Sequence, residues 1–130
     1  MNIGLGPARK TILLVDADPH ARATLRKALE TSGFSVGEAA TGEEGERTAH
    51  RIHPDAILTD LMMETIDAGG EIARRLAETG RQIPVYMVST AADALVGATG
   101  FAELGISGVF LKPVDPAIVI RTLKTRLGAG

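Results

Sequence analysis

The feature that most constrains this chain is a repeated alternation of short apolar runs with longer amphipathic stretches. The first run, Thr11-Ile-Leu-Leu-Val-Asp16, is β-rich and ends in an acid. Asp18-Pro19 then supplies an N-cap and a first helical residue, for a helix to about Ser32 with Leu25, Ala28 and Leu29 on one face, ended by Gly33. Phe34–Ala39 is a weaker second strand and Gly42–His53 a helix with few apolar residues. Asp55-Ala-Ile-Leu-Thr-Asp60 is a third strand, again ending in an acid. A loop and a helix over about Asp67–Thr79 follow, with Ile72, Ala73 and Leu76 turned inward. Ile83–Ser89 and Ser107–Leu111 are the fourth and fifth strands, with a helix containing Gly97 and Gly100 between them. Asp115 or Pro116 opens a last helix in which Val119, Ile120, Leu123 and Leu127 keep helical spacing.

Five strands alternating with five helices predict an α/β fold, a single doubly wound parallel sheet with helices on both faces. The nearly unbroken apolar character of strands one, three and four fits burial on both sides. In such sheets the working site lies beyond the carboxyl ends of the strands. Asp16, Asp60, Ser89 and Lys112 fall at or just after the ends of strands one, three, four and five, so four polar groups far apart in sequence are expected on one edge.

Size and charge narrow the rest. With 130 residues the chain has room for one core; the domain is expected over 10–127, with 1–9 and 128–130 as flexible ends. The apolar share of 45% is that of a globular protein. No apolar run is long enough to span a bilayer. Met1–Lys10 places its charges after a weak apolar part, which is not the order of a secretory leader. A cytoplasmic protein without membrane association is expected. The absence of cysteine excludes thiolate metal sites, disulfides and a cysteine nucleophile. A net charge of −2 and 3% aromatics argue against direct nucleic-acid binding, which needs a basic face or stacking platforms.

Two carboxylates and a lysine at one sheet edge suit Mg²⁺-assisted phosphoryl transfer, since Mg²⁺ takes one or two carboxylates, keeps waters and bridges to phosphate oxygens. A carboxylate nucleophile can become an acyl phosphate. Lys112 would pair with the added charge and Ser89 would donate a hydrogen bond to a phosphoryl oxygen. The added charge, roughly −1.5 to −2, is enough to move a nearby hydroxyl and loop.

On these residues the chain resembles the response-regulator receiver domains of two-component signalling, over about residues 10–127. The resemblance is carried by Asp16 in Leu-Leu-Val-Asp, Asp60 in Ala-Ile-Leu-Thr-Asp, Ser89 in Val-Tyr-Met-Val-Ser, and Lys112-Pro113 after Gly-Val-Phe-Leu. It implies a flavodoxin-like strand order 2-1-3-4-5 and Asp60 as phosphoacceptor. It also implies a Mg²⁺ site using Asp16, Asp60 and the Met62 backbone carbonyl, with Asp18 a further candidate, and a cis bond between Lys112 and Pro113. The implied partners are a histidine kinase or histidine phosphotransfer protein and a downstream protein target. Output and self-association are expected on the face of the fourth helix, fifth strand and fifth helix. The domain would be regulatory rather than an enzyme, beyond its own phosphoryl transfer and dephosphorylation.

The departures from the family pattern bear on the metal. Where a second acid commonly follows the first strand, this chain has Ala17, and Asp18, before Pro19, has helix capping as its first job. Glu64 and Ala68 stand where Pro and Gly are usual, Val109 where a switch aromatic commonly sits, and Val114 where Phe is frequent. Weak Mg²⁺ binding is therefore expected. Output would have to use the loop after Ser89 and the following helix, where Gly97 and Gly100 each cost about 1 kcal/mol against Ala. Two other readings compete. One is a phosphorylation-independent docking module of the same fold. The other is a haloacid-dehalogenase-like phosphatase with Asp16 as nucleophile and Asp18 as acid/base, which leaves Asp60 unexplained and has His20 where Thr or Val belongs. His20, His50 and His53 show no metal spacing. Met62 and Met63 read as loop and packing residues, and Arg74-Arg75 as a solvated helix face.

Overall fold

The computed structural model describes residues 9–60, 82–91 and 106–128. Five strands, β1 (Thr11–Val15), β2 (Ser35–Ala39), β3 (Ala56–Asp60), β4 (Val85–Ser89) and β5 (Ile106–Leu111), form one sheet in the order β2-β1-β3-β4-β5. Every pairing is parallel. The described helices are α1 (Pro19–Thr31), α2 (Gly42–Ile52) and α3 (Pro116–Leu127). The expected helix over about residues 67–79 and the one containing Gly97 and Gly100 lie outside the described residues, as do Met62, Met63, Glu64, Ala68, Arg74 and Arg75.

The sheet is sandwiched because its central strands are apolar on both sides. Successive side chains of a strand point to opposite faces. Thus Leu13, Val15, Ile57 and Met87 join Ala49 of α2 in one cluster, with Ile52 packed against it. Ile12, Leu14, Leu58 and Val88 join Leu29 of α1 and Val119 and Leu123 of α3 in the other. β3 and β4 are buried along their whole length, whereas the edge strands β2 and β5 are mostly half-buried.

Capping fixes where each helix starts, and hence what the preceding loop can present. The Asp18 carboxylate accepts from the His20 and Ala21 amides at 2.9 and 3.4 Å, with Pro19 behind it. Thr41 accepts from the Glu44 amide at 3.1 Å, and Asp115 from the Ala117 amide at 2.9 Å, ahead of Pro116. Gly33 and Gly128 take φ of 102° and 68° beyond the ends of α1 and α3, values that glycine reaches without a Cβ clash.

The boundaries differ from the sequence reading by one or two residues, the fourth strand starting at Val85 and not at Ile83. Ser32 is the C-cap of α1 and His53, at φ 49°, that of α2. Phe34 precedes β2 instead of opening it, because its amide donates to the Leu29 carbonyl at the end of α1, while its ring is buried on the α1 side of the sheet. Asp55 precedes β3: its carboxylate accepts from the Thr11 amide at 2.7 Å while its own amide donates to the Thr11 carbonyl, stitching the entries of β1 and β3 together.

Candidate functional site

Parallel strands in register bring their carboxyl ends to a common edge, and four of the sequence-predicted residues arrive there. Asp16 follows β1, its amide donating to the Ala39 carbonyl of β2 at 3.0 Å. Asp60 is the last residue of β3 and faces Val88 across the β3–β4 ladder. Ser89 ends β4 opposite Leu111, and the Lys112 amide donates to the Ser89 carbonyl at 2.8 Å, which holds the lysine at the end of β5. The Lys112–Pro113 bond is cis, as the resemblance implies.

Asp16, Asp18, Asp60 and Lys112 bound one cleft of about 460 Å³, closed on its apolar side by Leu25 of α1, Val88 and Val114. His20 and Thr24 of α1 complete the wall beside the acids. The Lys112 ammonium donates to Asp60 Oδ2 at 2.7 Å. The Asp60 side chain is 10% exposed and that of Lys112 40%, so the pair has a buried acid and a lysine reaching in from the rim. A lysine at the end of an apolar strand needs such a partner. Ser89 is 1% exposed, and its hydroxyl donates to the Thr90 carbonyl at 2.9 Å. It is the one member of the predicted four whose side chain does not line the cleft.

Asp16 carries the clearest electrostatic signature. Burial pushes its carboxyl above the ordinary carboxylate value, and the negative charge of Asp60 adds to the rise. The hydrogen bond from the Asp18 amide to Asp16 Oδ1, at 2.8 Å, and the charge of Lys112 work against it. Two crowded carboxylates beside one lysine favour a cation that offsets their charge.

The donor set fits a divalent ion in part. Asp16 and Asp60 form a pair; Ala17 is exposed and offers no oxygen from its side chain; Asp18 is engaged in capping α1. Among the described residues no cluster of three or more His, Asp or Glu side chains is gathered as a metal site. Mg²⁺ binds through one or two carboxylates with water and substrate oxygens filling the shell, so a pair is the minimum. Met62, whose carbonyl would be a further ligand, is outside the described residues.

Three neighbours of the site were invisible to the sequence reading. Arg22 of α1 donates from Nη1 to the Asp16 carbonyl at 2.5 Å and from Nε to Glu38 of β2 at 2.9 Å. Arg26 bonds the other Glu38 oxygen. Together, with Arg26 first, the arginines hold the Glu38 carboxyl below its usual range. The available signal was Glu38 itself, a charge in the middle of a short strand that needs a partner. On β5, Val109 packs against the α2-side cluster, while its neighbour Phe110 faces the other side and stacks on Tyr86, with ring centroids 5.4 Å apart.

Comparison with known proteins agrees with this geometry. The family model for the response regulator receiver domain matches residues 12–124. The response regulator MprA of Mycobacterium leprae is 36% identical over 102 residues, covering 78% of this chain and 44% of that protein. The transcriptional regulatory protein AfsQ1 of Streptomyces coelicolor is 30% identical over 120 residues, covering 92% of this chain and 52% of that one. The chain thus spans about half the length of the curated relatives it matches. Among solved structures, the chemotaxis protein CheY4 of Vibrio cholerae superposes with a TM-score of 0.80 at 25% identity, covering 91% of this chain and 98% of that one. A CheY-like receiver domain from Methanospirillum hungatei reaches a TM-score of 0.84 at 24% identity over 92% and 94% of the two chains, a likeness of fold.

Proposed function

The chain belongs to the response regulator receiver domains, and we propose that it is a phosphoacceptor switch of two-component signalling that takes a phosphoryl group on Asp60. The observation that carries this reading is the Lys112–Asp60 ion pair at the mouth of a cleft that Asp16 also lines. An Asp60 carboxylate oxygen attacks the phosphorus of a phosphohistidine on a kinase or histidine phosphotransfer protein. The P–N bond breaks, its electron pair stays on the imidazole, and an acyl phosphate forms. Lys112 then transfers its hydrogen bond to a phosphoryl oxygen, and the Ser89 hydroxyl turns from the Thr90 carbonyl towards another.

Asp16 and Asp60, with the Met62 carbonyl, are the groups that would hold Mg²⁺; Asp18 is a further candidate only if it releases its cap. Bound there, Mg²⁺ would supply charge neutralisation for the phosphoryl oxygens. With a pair of acids instead of a trio, its binding is weak. The domain is regulatory, with phosphoryl transfer and loss its own chemistry. Output runs from Ser89 and Lys112 to the face that β5 and α3 share with the expected fourth helix, where Leu111 and Ile118 are the exposed large apolar residues among those described. A downstream protein or a second copy of the domain docks there. With a net charge of −2, direct nucleic-acid contact is not expected of this domain. Among the described residues no helix is long and apolar enough to cross a membrane; we place the domain in the cytoplasm, with its phosphodonors.

The absent third acid favours one other reading, a docking module that works without phosphate. The phosphatase reading with Asp16 as nucleophile has neither the family match nor a free Asp18 behind it. The test is the intact mass after incubation with acetyl phosphate and Mg²⁺. One phosphoryl addition, lost on chelation and in Asp60→Asn, is expected; an unchanged mass, or addition that survives Asp60→Asn, refutes the switch.

A further inference from the structure

Asp16 is held at all three of its polar groups. Its amide donates to Ala39 of β2, its Oδ1 accepts from the Asp18 amide, and its carbonyl accepts from Arg22. The first contact is backbone pairing, and the second is a turn that the Asp16 carboxylate makes with the backbone two residues on. The third is a side chain, and it is the end of a chain of charges. Arg22 Nε is fixed by Glu38, whose other oxygen is bonded by Arg26, which in turn reaches Glu30 at 3.3 Å one turn along α1. The Arg22 side chain is 18% exposed, and together with Asp16 and Asp60 it lines a small pocket of about 20 Å³.

We infer that Arg22 is a positioning residue for the phosphoryl site, fixing the peptide of Asp16 so that its carboxylate faces Asp60. This inference rests on the phosphoacceptor reading. The chemistry calls for arginine in particular, since one planar fork must serve a carbonyl and a carboxylate in fixed directions. Lysine, a single ammonium on a flexible stem, cannot hold both with defined geometry. The role weighs more here because Ala17 leaves Asp16 as the one carboxylate of the β1–α1 loop not spent on a cap. An outer contact that orients the main ligand of a weak site governs a large share of its affinity.

The test measures Mg²⁺ affinity by titration of backbone amide resonances in the wild type, Arg22→Met, Arg22→Lys and Arg26→Met, each with its thermal midpoint. Loss of an outer-shell partner costs about 10-fold or more in metal affinity, so Arg22→Met is expected to weaken Mg²⁺ binding by that factor. Arg22→Lys recovers only part of it. Arg26→Met, which breaks the same network one step further out, lowers the midpoint while Mg²⁺ affinity stays within about twofold. Equal Mg²⁺ affinity in Arg22→Met and wild type overturns the inference, as does an equal loss in Arg26→Met. Should Arg22→Met fail to fold, Arg22→Lys decides by the same comparison. Failure of the wild type to bind Mg²⁺ is a different result: it removes the phosphoacceptor reading and this inference with it.

Discussion

Placing an acid at position 17 should strengthen the metal site and weaken the empty fold at the same time. Ala17 is exposed between Asp16 and the cap Asp18, so a carboxylate added there stays close to water. At about 5 Å from Mg²⁺ it gains roughly 1.7 kcal/mol at the dielectric of water, or about 15-fold in affinity, and more if the cleft lowers the effective dielectric. Without metal the same carboxylate is repelled by Asp16 and Asp60 by about 0.7 kcal/mol each at 6 Å, with roughly 0.5 kcal/mol returned by Lys112. The net loss of about 1 kcal/mol lowers the thermal midpoint by roughly 3–5 °C. The assay is a pair of measurements on Ala17→Asp: Mg²⁺ affinity by titration, and the midpoint in chelator and in excess Mg²⁺. Affinity within a factor of two of the wild type, or a midpoint in chelator that does not fall, would refute the view that this pocket is one carboxylate short.

Lys112→Met removes the cation that meets Asp60 and that the proposed switch uses for the incoming phosphoryl oxygens. A preorganised donor at such a site is worth about 10²-fold or more in rate, so phosphorylation by acetyl phosphate should slow by that factor while the circular dichroism spectrum is kept; a rate within threefold counts against the role. Asp16→Asn should stabilise the metal-free fold. Because the Asp16 carboxyl is raised in the fold, the native state holds its proton more tightly than the unfolded chain does. Its contribution is therefore complete below the ordinary value of 3.8 and is lost as pH rises through the raised one. The gain at pH 7 is read from urea midpoints in chelator, and it should vanish at pH 3.5; destabilisation at neutral pH would show that the carboxylate is favoured where it sits. Leu123→Ala, at a position fully buried between α3 and the sheet, should cost about 2–5 kcal/mol by denaturant titration, and a loss below 1 kcal/mol would mean that α3 is not packed as described.

The architecture was legible because it depends on periodicity. Runs such as Ile12–Val15 and Ala56–Leu58 are apolar at every position, which only a strand covered on both faces requires, and the caps Asp18-Pro19 and Asp115-Pro116 mark helix starts by local chemistry alone. The convergence of Asp16, Asp60 and Lys112 followed from their common place at strand ends. What stayed hidden depends on side-chain direction. Arg22 is one of several polar residues of α1, and only the twist that carries α1 over β2 sets it against Asp16 and Glu38. Ser89 has the right address, yet its hydroxyl is turned to Thr90, a rotamer that no spacing reveals. Asp55 reads as the start of a strand, whereas its carboxylate serves the Thr11 amide.

The central claim is that Asp60, and not Asp16, receives the phosphoryl group. Acyl phosphates are reduced by borohydride to the alcohol, which would turn the acceptor aspartate into homoserine, so peptide mapping after phosphorylation and reduction reports the acceptor directly. Homoserine at position 60 alone, dependent on Mg²⁺, is the predicted result. Homoserine at position 16, or none at either position, would contradict the account.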